Sequence, residues 1–564
     1  MPSRTARGRT WKDHAVFNSY SIHAVDGCVN TLNWRKGVEK HGNIGVDAIH
    51  NEIKQLLELE VFVAMPRTID LSSITYHRSH DLFDIKSDGS AKARLVVGKP
   101  VGEQEIDFGL DPYSPTIDGR VINMMLTLCV ESKLELEVWD VKGAYLKAPM
   151  KISGVYVLLR SDVSEVVVKM RPEWSECLRH DGSLLVECRK AWYGTVIAAA
   201  CWNTELNDTL TEVCGYTRHS MVPCLYYRVV DGVTNYILLH VDDMGAMMSH
   251  ESGEHERVRK ILESHYGKMK VQRGDAVTYI GMEVKRDHVG NCFEVRMCNK
   301  VDAMCKKFNI TECRRTPGDM QMYHCEDPSA SSVDVSEYRS MVMTARYIAG
   351  CVMPEILYHI SHLATKQCNP TCQHLRMVTA LMAYMLCNRD RCIRVNGYGG
   401  ERVLHAYCDA SYGVHADGKS HSGRCIFFGK CRSAILVASS KQSLTVDSVY
   451  QAEIVALGSV VLVGDYLQNV LRELGMKDVV VRYYCDNEAS VNSVLTGTNR
   501  YATQRRYFVV RINSLKDYFK DEANEARIEH ISTHDNIADV LTKPLAGKLF
   551  MHYRSVLHGE TDSG

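Results

Sequence analysis

Along the first third of the chain the apolar positions change period more than once. Across 45–65, Ile49, Ile53 and Leu56 recur at helical steps, and the spacing then tightens to strand-like alternation before Pro66. The segment AKARLVVGK (91–99) alternates as a strand, with Lys92, Arg94 and Lys99 spaced along it. KLELEVWDVKGAYL (133–146) predicts a strand that ends at Asp140, and YILLHVDDMGAMM (236–248) predicts strands over 237–241 and 244–248 that meet at Asp242 and Asp243. Gly274, Pro317 and the polar stretch EDPSASSVDVSE (326–337) break the pattern, and a mostly helical region follows to about 390.

A second β/α region begins near Arg402. VLHAYCDAS is a strand ending at Asp409, GRCIFFGKCRSAILVASS a hairpin after it, and VVVRYYCDN a later strand ending at Asp486. Between them lies a long helix, with Ser448 as N-cap and Gln451 completing a capping box. Leu457, Val460, Gly464, Leu467, Leu471 and Leu474 form its sheet-facing stripe. Glu453 lies on that same stripe, so it should meet the edge where Asp409 and Asp486 end their strands. Asp539, in NIADVLTKPL, begins a last helix and closes the group.

Paired aspartates in an apolar run need an explanation, because taking carboxylates out of water is costly and adjacent ones repel. One reading is a hairpin turn, where Asp is common. The other is a divalent cation held by hard oxygen ligands at the tip of a rigid hairpin. Asp140 ends a neighbouring strand and supplies a third carboxylate. Three carboxylates at one sheet edge make a two-metal site for nucleotidyl transfer, with one ion activating a primer hydroxyl and the other holding the triphosphate. Tyr145, five residues on, is either a ring against the incoming sugar or a core aromatic.

Composition narrows the class. The 564 residues are enough for three or four domains, and 45% apolar with 24% charged residues is the balance of a globular chain. The formal charge of −1 means that any basic surface must be local. The 21 cysteines are scattered and 1–9 lacks an apolar core, so a reduced cytosolic or nuclear setting is expected rather than secretion. The longest uncharged apolar run, 454–464, is too short to span a bilayer, and no membrane partner is expected. Cys368, Cys372, His374, Cys387 and Cys392 loosely suggest zinc spacing, but the helical apolar stretch among them favours buried core thiols. RYATQRRYFVVRINSLKDYFK (500–520) interleaves Arg500, Arg505, Arg506, Arg511, Lys516 and Lys520 with aromatic residues, either as a phosphate-gripping helix or as a solvated face.

The order of motifs is more specific than any one of them. WDVKGAYLKA, SPT at 114–116, LLHVDDM, YIGMEV at 279–284 and YRSMVMTARYIAG at 338–350 resemble the reverse transcriptase of copia-type LTR retrotransposons. CDAS, QAEIVAL, CDNEAS and IADVLTKPL resemble the four-carboxylate site of ribonuclease H. The resemblance implies an RNA-directed DNA polymerase joined to ribonuclease H, the corresponding portion of a Pol polyprotein. It implies a multidomain α+β and α/β chain: a right-hand polymerase, a helical connection, and a mixed β-sheet with helices. The boundaries expected are an N-terminal lead over 1–36, fingers and palm over 37–250, palm end and thumb over 251–330, the connection over 331–400, the ribonuclease H-like unit over 401–546 and a tail over 547–564.

By this resemblance Asp140, Asp242 and Asp243 are the palm aspartates, and Asp409, Glu453, Asp486 and Asp539 the ribonuclease H set, each site with two Mg²⁺ and Mn²⁺ as an alternative. Lys92, Arg94, Tyr145, Tyr193 and Gly194 would bind the incoming nucleotide, with Tyr145 as the steric gate against ribonucleotides. Arg505, Arg506 and Arg511 would contact nucleic acid, and His534 is a candidate for proton transfer. Partners implied are an RNA template, a DNA primer, the RNA/DNA hybrid and deoxynucleoside triphosphates, in cytoplasmic virus-like particles or the nucleus. The chain departs from the family at WYGTVIAAACW (192–202). Val196, Ile197, Ala199 and Ala200 replace Lys, Gln, Pro and Arg, and His240 replaces the Tyr before VDD. A second reading follows: a catalytically weakened descendant that binds primer and template without copying them.

Overall fold

The computed structural model describes residues 32–85, 89–101, 113–318, 329–497 and 506–560. Arg500 and Arg505 lie outside the described residues, as do most of the expected N-terminal lead and part of the polar 326–337 stretch.

Four sheets carry the architecture. The first, of five strands, runs in the order Phe62–Ala64, Leu184–Cys188, Tyr156–Leu159, Tyr76–Ile85, Ala91–Pro100. In its last strand Ala93, Leu95 and Val97 are buried while Lys92 and Arg94 are exposed, as two-residue periodicity requires. The helix Asn43–Glu58 buries Ile49, Ile53, Leu56 and Leu57 over this sheet, giving it an apolar core of its own. The second sheet, of six strands, has Glu135–Asp140 beside Asp243–Met248, which is in turn beside Val233–His240. Its core is continuous with a four-stranded sheet (276–296 and 393–396), with the helices Val335–Val352, Leu357–Ala364 and Cys372–Cys387, and with the C-terminal domain.

The C-terminal sheet runs Leu436–Lys441, His421–Phe428, Val403–Ser411, Val480–Cys485, Ala526–His530, antiparallel across the first three strands and parallel across the last three. The helix Val449–Glu473 packs on it with Leu457, Val460, Leu467 and Leu471 fully buried. Burying each such side chain contributes about 1.5–3 kcal/mol. Gly464 is required at the crossing, since a Cβ there would sit 2.5 Å from the Tyr483 hydroxyl. Ser448 caps the helix by accepting from the Gln451 N–H, while the Gln451 side chain reaches back one residue further than a capping box, to the Asp447 N–H. This helix is long and apolar enough to cross a membrane by length and composition. Its burial on the sheet is that of a core helix. The uncharged run at 454–464 understated its length because Glu453, on the buried stripe, and Asp465 interrupt it inside the helix.

Three local expectations are corrected. Asp539 lies in a short 3₁₀ turn, Ile537–Leu541, and not at the start of an α-helix; Pro544 follows too soon for one to grow. The next helix, Gly547–His558, buries Phe550, Tyr553, Leu557 and His558, so residues beyond 546 include a packed element. Cys368 and Cys387 are exposed, and only Cys392 of the cysteine group is buried, because Cys368 and Cys387 lie at or beyond helix ends where the apolar stripe has run out. His374 turns back to the N-terminus of its helix, where its Nδ1 accepts from the Thr371 N–H.

Candidate active sites

The six-stranded sheet places Asp140 directly opposite Asp243, and Asp243 opposite His240. Val241 and Asp242 therefore form a two-residue hairpin turn, which needs a positive φ at its first position. Val241 supplies it at φ 60°, a conformation that strains a β-branched residue. The turn is held from outside, because Trp202 Nε1 donates to the Val241 carbonyl at 2.7 Å and the Val141 N–H donates to the Asp242 carbonyl at 3.4 Å. Both readings of the paired aspartates thus hold in part: Asp242 is a turn residue, and the turn presents carboxylates beside Asp140.

Charges converge on Asp242 from two sheets. Burial and then the Asp140 carboxylate push its carboxyl up, while Lys92 and Arg94 of the first sheet act in the opposite sense. Burial, with Asp242 adding to it, pushes the Tyr145 phenol up to about 12. The Tyr145 and Tyr193 rings lie 5.9 Å apart, and the Arg94 guanidinium stands 5.9 Å from the Tyr193 ring centroid. Gly194, at φ 92°, lets the chain press against the first sheet: the Val97 N–H donates to the Tyr193 carbonyl at 2.7 Å, and a Cβ on Gly194 would fall 2.1 Å from the Val97 oxygen. All five expected nucleotide-binding residues, Lys92, Arg94, Tyr145, Tyr193 and Gly194, thus gather around the Asp140/Asp242 edge.

Sequence reasoning missed Glu52. It is buried and accepts from the Leu95 N–H at 3.0 Å, and its carboxyl is pushed up by burial against the pull of Arg94 and Lys92. The signal was present, since Glu52 interrupts the Ile49–Ile53–Leu56 stripe as Glu453 interrupts its own. In the altered loop, Val196 is exposed while Ile197 is a fully buried core side chain.

The second edge is more tightly drawn. Asp409 sits within its strand and Asp486 just beyond the end of the parallel neighbour, whose register pairs Cys408 with Cys485. Ligand atoms of Asp409, Asp486 and Asp539 all lie within 4.8 Å of one another, as do those of Glu453, Cys485 and Asp486. Among the described residues these are the groups of three that close to that distance; Asp140, Asp242 and Asp243 share an edge but do not converge as tightly. Glu453 Oε1 accepts from the Ala410 N–H at 3.3 Å, and Oε2 is buried without a hydrogen-bond partner. Its carboxyl is pushed well up, first by burial and then by Asp409. Burial also pushes Asp409 up, to about 7, with Asp539 and Asp486 adding to it and Lys543 opposing. Lys543 Nζ stands 2.7 Å from Asp539 Oδ1 and 3.8 Å from Asp409 Oδ2, and Thr542 donates to Asp409. Crowded, mutually repelling oxygens, one of them an orphaned buried acceptor, are the donor set a hard divalent cation satisfies.

The remaining expected residues are less engaged. Arg506 is exposed at the start of helix Arg506–Lys520. Arg511 is half-buried, with its side chain reaching over Gly458 of the long helix. His534 is exposed, and its carbonyl accepts from the Tyr553 hydroxyl at 3.0 Å.

Fold and edges together define a polymerase-type palm joined to a ribonuclease H-type sheet. Residues 62–320 match the family described as reverse transcriptase (RNA-dependent DNA polymerase). The chain is 25% identical over 565 residues to the Transposon Ty1-LR3 Gag-Pol polyprotein of Saccharomyces cerevisiae, covering 95% of this chain and 30% of that polyprotein. It is 26% identical to the Truncated transposon Ty1-A Gag-Pol polyprotein of the same organism, covering 95% of this chain and 45% of that one. Among solved structures, a foamy viral protease-reverse transcriptase in complex with double-stranded DNA aligns with 87% of this chain and 70% of its own at 12% identity and TM-score 0.23. LC11-RNase H1 in complex with RNA/DNA hybrid aligns with 24% of this chain and 92% of its own at 20% identity and TM-score 0.18. By its match to the reverse transcriptase family over 62–320 and its similarity to Ty1 polyproteins along 95% of its length, the chain resembles the Pol portion of copia-type retrotransposons. It spans about a third of the length of most of the curated relatives it matches.

Proposed function

We propose that the chain is an RNA-directed DNA polymerase with ribonuclease H activity, copying a retroelement RNA from a DNA primer and degrading the RNA of the resulting hybrid. The observation that carries this reading is the presence, in one chain, of two separate acidic sheet edges, one of them facing Lys92, Arg94, Tyr145 and Tyr193 across a cleft between sheets.

At the palm edge Asp140, Asp242 and Asp243 would hold Mg²⁺, and at the C-terminal edge Asp409, Glu453, Asp486 and Asp539. Bound there, divalent cations supply activation of the attacking oxygen and neutralisation of charge on the leaving group. The chain's own residues do the rest. Lys92 and Arg94 grip the triphosphate, and Tyr145, tilted against Tyr193, occupies the space a 2′ hydroxyl would need. The primer 3′ oxygen bonds to the α-phosphorus as the bond to pyrophosphate breaks. At the C-terminal edge Lys543 balances Asp409 and Asp539, and Thr542 fixes the Asp409 carboxylate. The setting is the cytoplasm or a virus-like particle within it.

Primer extension on an RNA template, with cleavage of an RNA/DNA hybrid measured in parallel, tests the proposal; failure of both activities in folded protein supplied with Mg²⁺ or Mn²⁺ would overturn it. The second reading, nucleic-acid binding without copying, draws on the exposed Val196 and on the small Ala199 and Ala200 in the first turn of the helix Ala198–Asp208, which offer no cation to a phosphate. Hybrid cleavage without extension would favour it.

A further inference from the structure

A cavity of about 450 Å³, lined by no residue of either acidic edge, is walled by Arg296, Arg391 and Arg394, by Asp390 and Glu560, and by Asn388 with two cysteines. Three elements build it. The strands Cys292–Arg296 and Ile393–Asn396 pair so that Glu294 stands opposite Arg394, and two-residue alternation puts Arg296 and Cys392 on that same face. The end of the helix Cys372–Cys387 contributes Asn388. The turn after the helix Gly547–His558 contributes Glu560 and is pressed onto the strand: His558 Nδ1 bonds the Cys392 carbonyl at 3.0 Å, and a Cβ on Gly559, at φ 68°, would fall 2.7 Å from the Arg394 oxygen.

The guanidinium groups here are incompletely satisfied. Nε of Arg296, of Arg391 and of Arg394 is in each case buried without a hydrogen-bond partner. Glu294 engages Arg296 at 2.6 Å and Arg394 at 3.5 Å, Glu560 engages Arg391, and Asp390 on the cavity wall is drawn towards Arg389 at 3.6 Å, so each of the three forked cations keeps an unmatched Nε donor. Buried charged donors of this kind are stabilised by an oxyanion offering several acceptors at once, and phosphate fits the forked geometry.

The cavity is remote from the chemistry. Gly399 and Gly400, which follow the strand Ile393–Asn396, donate from their backbones to the Glu131 carboxylate at 2.9 Å. Glu131 ends the helix that precedes the strand Glu135–Asp140, so the segment leaving the cavity strand is tied to the end of the palm strand away from Asp140.

We propose that this cavity is a binding site for a small free phosphate anion, with Glu560 as a built-in competitor for Arg391. The site is independent of the polymerase and ribonuclease H assignments. The test is thermal unfolding of the full chain in EDTA, with inorganic pyrophosphate titrated against sodium chloride at matched ionic strength. Pyrophosphate should raise the unfolding temperature by a few degrees through mass action. Arg391→Gln with Arg394→Gln should weaken the response by about tenfold or more in pyrophosphate concentration. Glu560→Gln should strengthen it, which guards against a loss that merely reflects poor folding. No response in the parent chain overturns the proposal, as does a response unchanged in both variants. A parallel arm titrates RNA/DNA hybrid: dependence of hybrid binding on Arg391 and Arg394, without a pyrophosphate response, would assign the phosphate to nucleic acid and overturn the free-anion site.

Discussion

Asp409→Asn removes one charge from the most crowded group of carboxylates, and its effect on stability should reverse with the ionic conditions. In the metal-free chain the Asp409 carboxyl is raised from 3.8 to about 7 by burial and by Asp539 and Asp486, so the folded state prefers it protonated. The sign follows from linkage: a carboxyl whose folded value is raised contributes stability that is fully present below pH 4 and is lost as pH rises through about 7. At about 1.4 kcal/mol per unit, the loss approaches roughly 4 kcal/mol at pH 8. Because Asp409 in turn pushes the Glu453 carboxyl up, the two titrate together, and removing one should recover about half of that, or ~2 kcal/mol. In EDTA at pH 8, Asp409→Asn should therefore raise the unfolding temperature of the C-terminal domain by about 4–8 °C. The gain should shrink towards zero at pH 4. In saturating Mg²⁺ the order should invert, because the parent carboxylates are then compensated and the variant has lost a ligand, and hybrid cleavage should fall by orders of magnitude. Scanning calorimetry at pH 4, 6 and 8, with EDTA or Mg²⁺, measures all of this. A variant less stable than the parent in EDTA at pH 8, or a difference independent of pH, would refute the electrostatic account of the site.

Asp242→Asn with Asp243→Asn should abolish primer extension and leave hybrid cleavage intact; loss of both in folded protein would contradict two separate sites. Glu453→Gln should reduce hybrid cleavage by orders of magnitude with extension unchanged, and near-normal cleavage would show that the helix carboxylate plays no part. Val196→Lys with Ala200→Arg should lower the Michaelis constant for deoxynucleotides, or raise turnover, by about tenfold through a restored charged contact. Adding Ile197→Gln to that pair should instead cost about 1–3 kcal/mol of stability by burying an amide, read as a lower denaturant midpoint. Trp202→Phe should slow extension while leaving cleavage alone, because it frees the Val241 carbonyl and with it the strained turn; equal extension rates would show that the turn holds itself.

The two acidic edges were legible because strands and helices write their register into the chain. Asp140, Asp409 and Asp486 each stand at or near the end of an alternating run, and Glu453 betrays itself as a charge on an apolar stripe. The stripe Leu457, Val460, Gly464, Leu467, Leu471 and Leu474 was placed by period alone, and each of its members is buried. What period cannot express is contact between distant segments. Trp202 supporting Val241, and Arg391 meeting Glu560, depend on elements brought together from far apart in the chain. Asp539 was read as opening a helix because its motif is apolar and Asp is a good cap, but the nearby proline limits it to a 3₁₀ turn. Ile197 was read by its place in a motif rather than by its neighbours, and the fold puts it in the core.

The helix Gly119–Glu131 joins the palm sheet to the C-terminal domain. Its Arg120 stands 5.3 Å from the Tyr466 ring, Thr127 meets Cys431 at 3.7 Å, and Glu131 ties down Gly399 and Gly400. Ser220 is bonded to Glu473 at the far end of the long C-terminal helix. On the proposed function, a duplex resting on both edges would be gauged by this packing, and the number of base pairs between the growing end and the first cut would be set by the protein rather than by the sequence being copied.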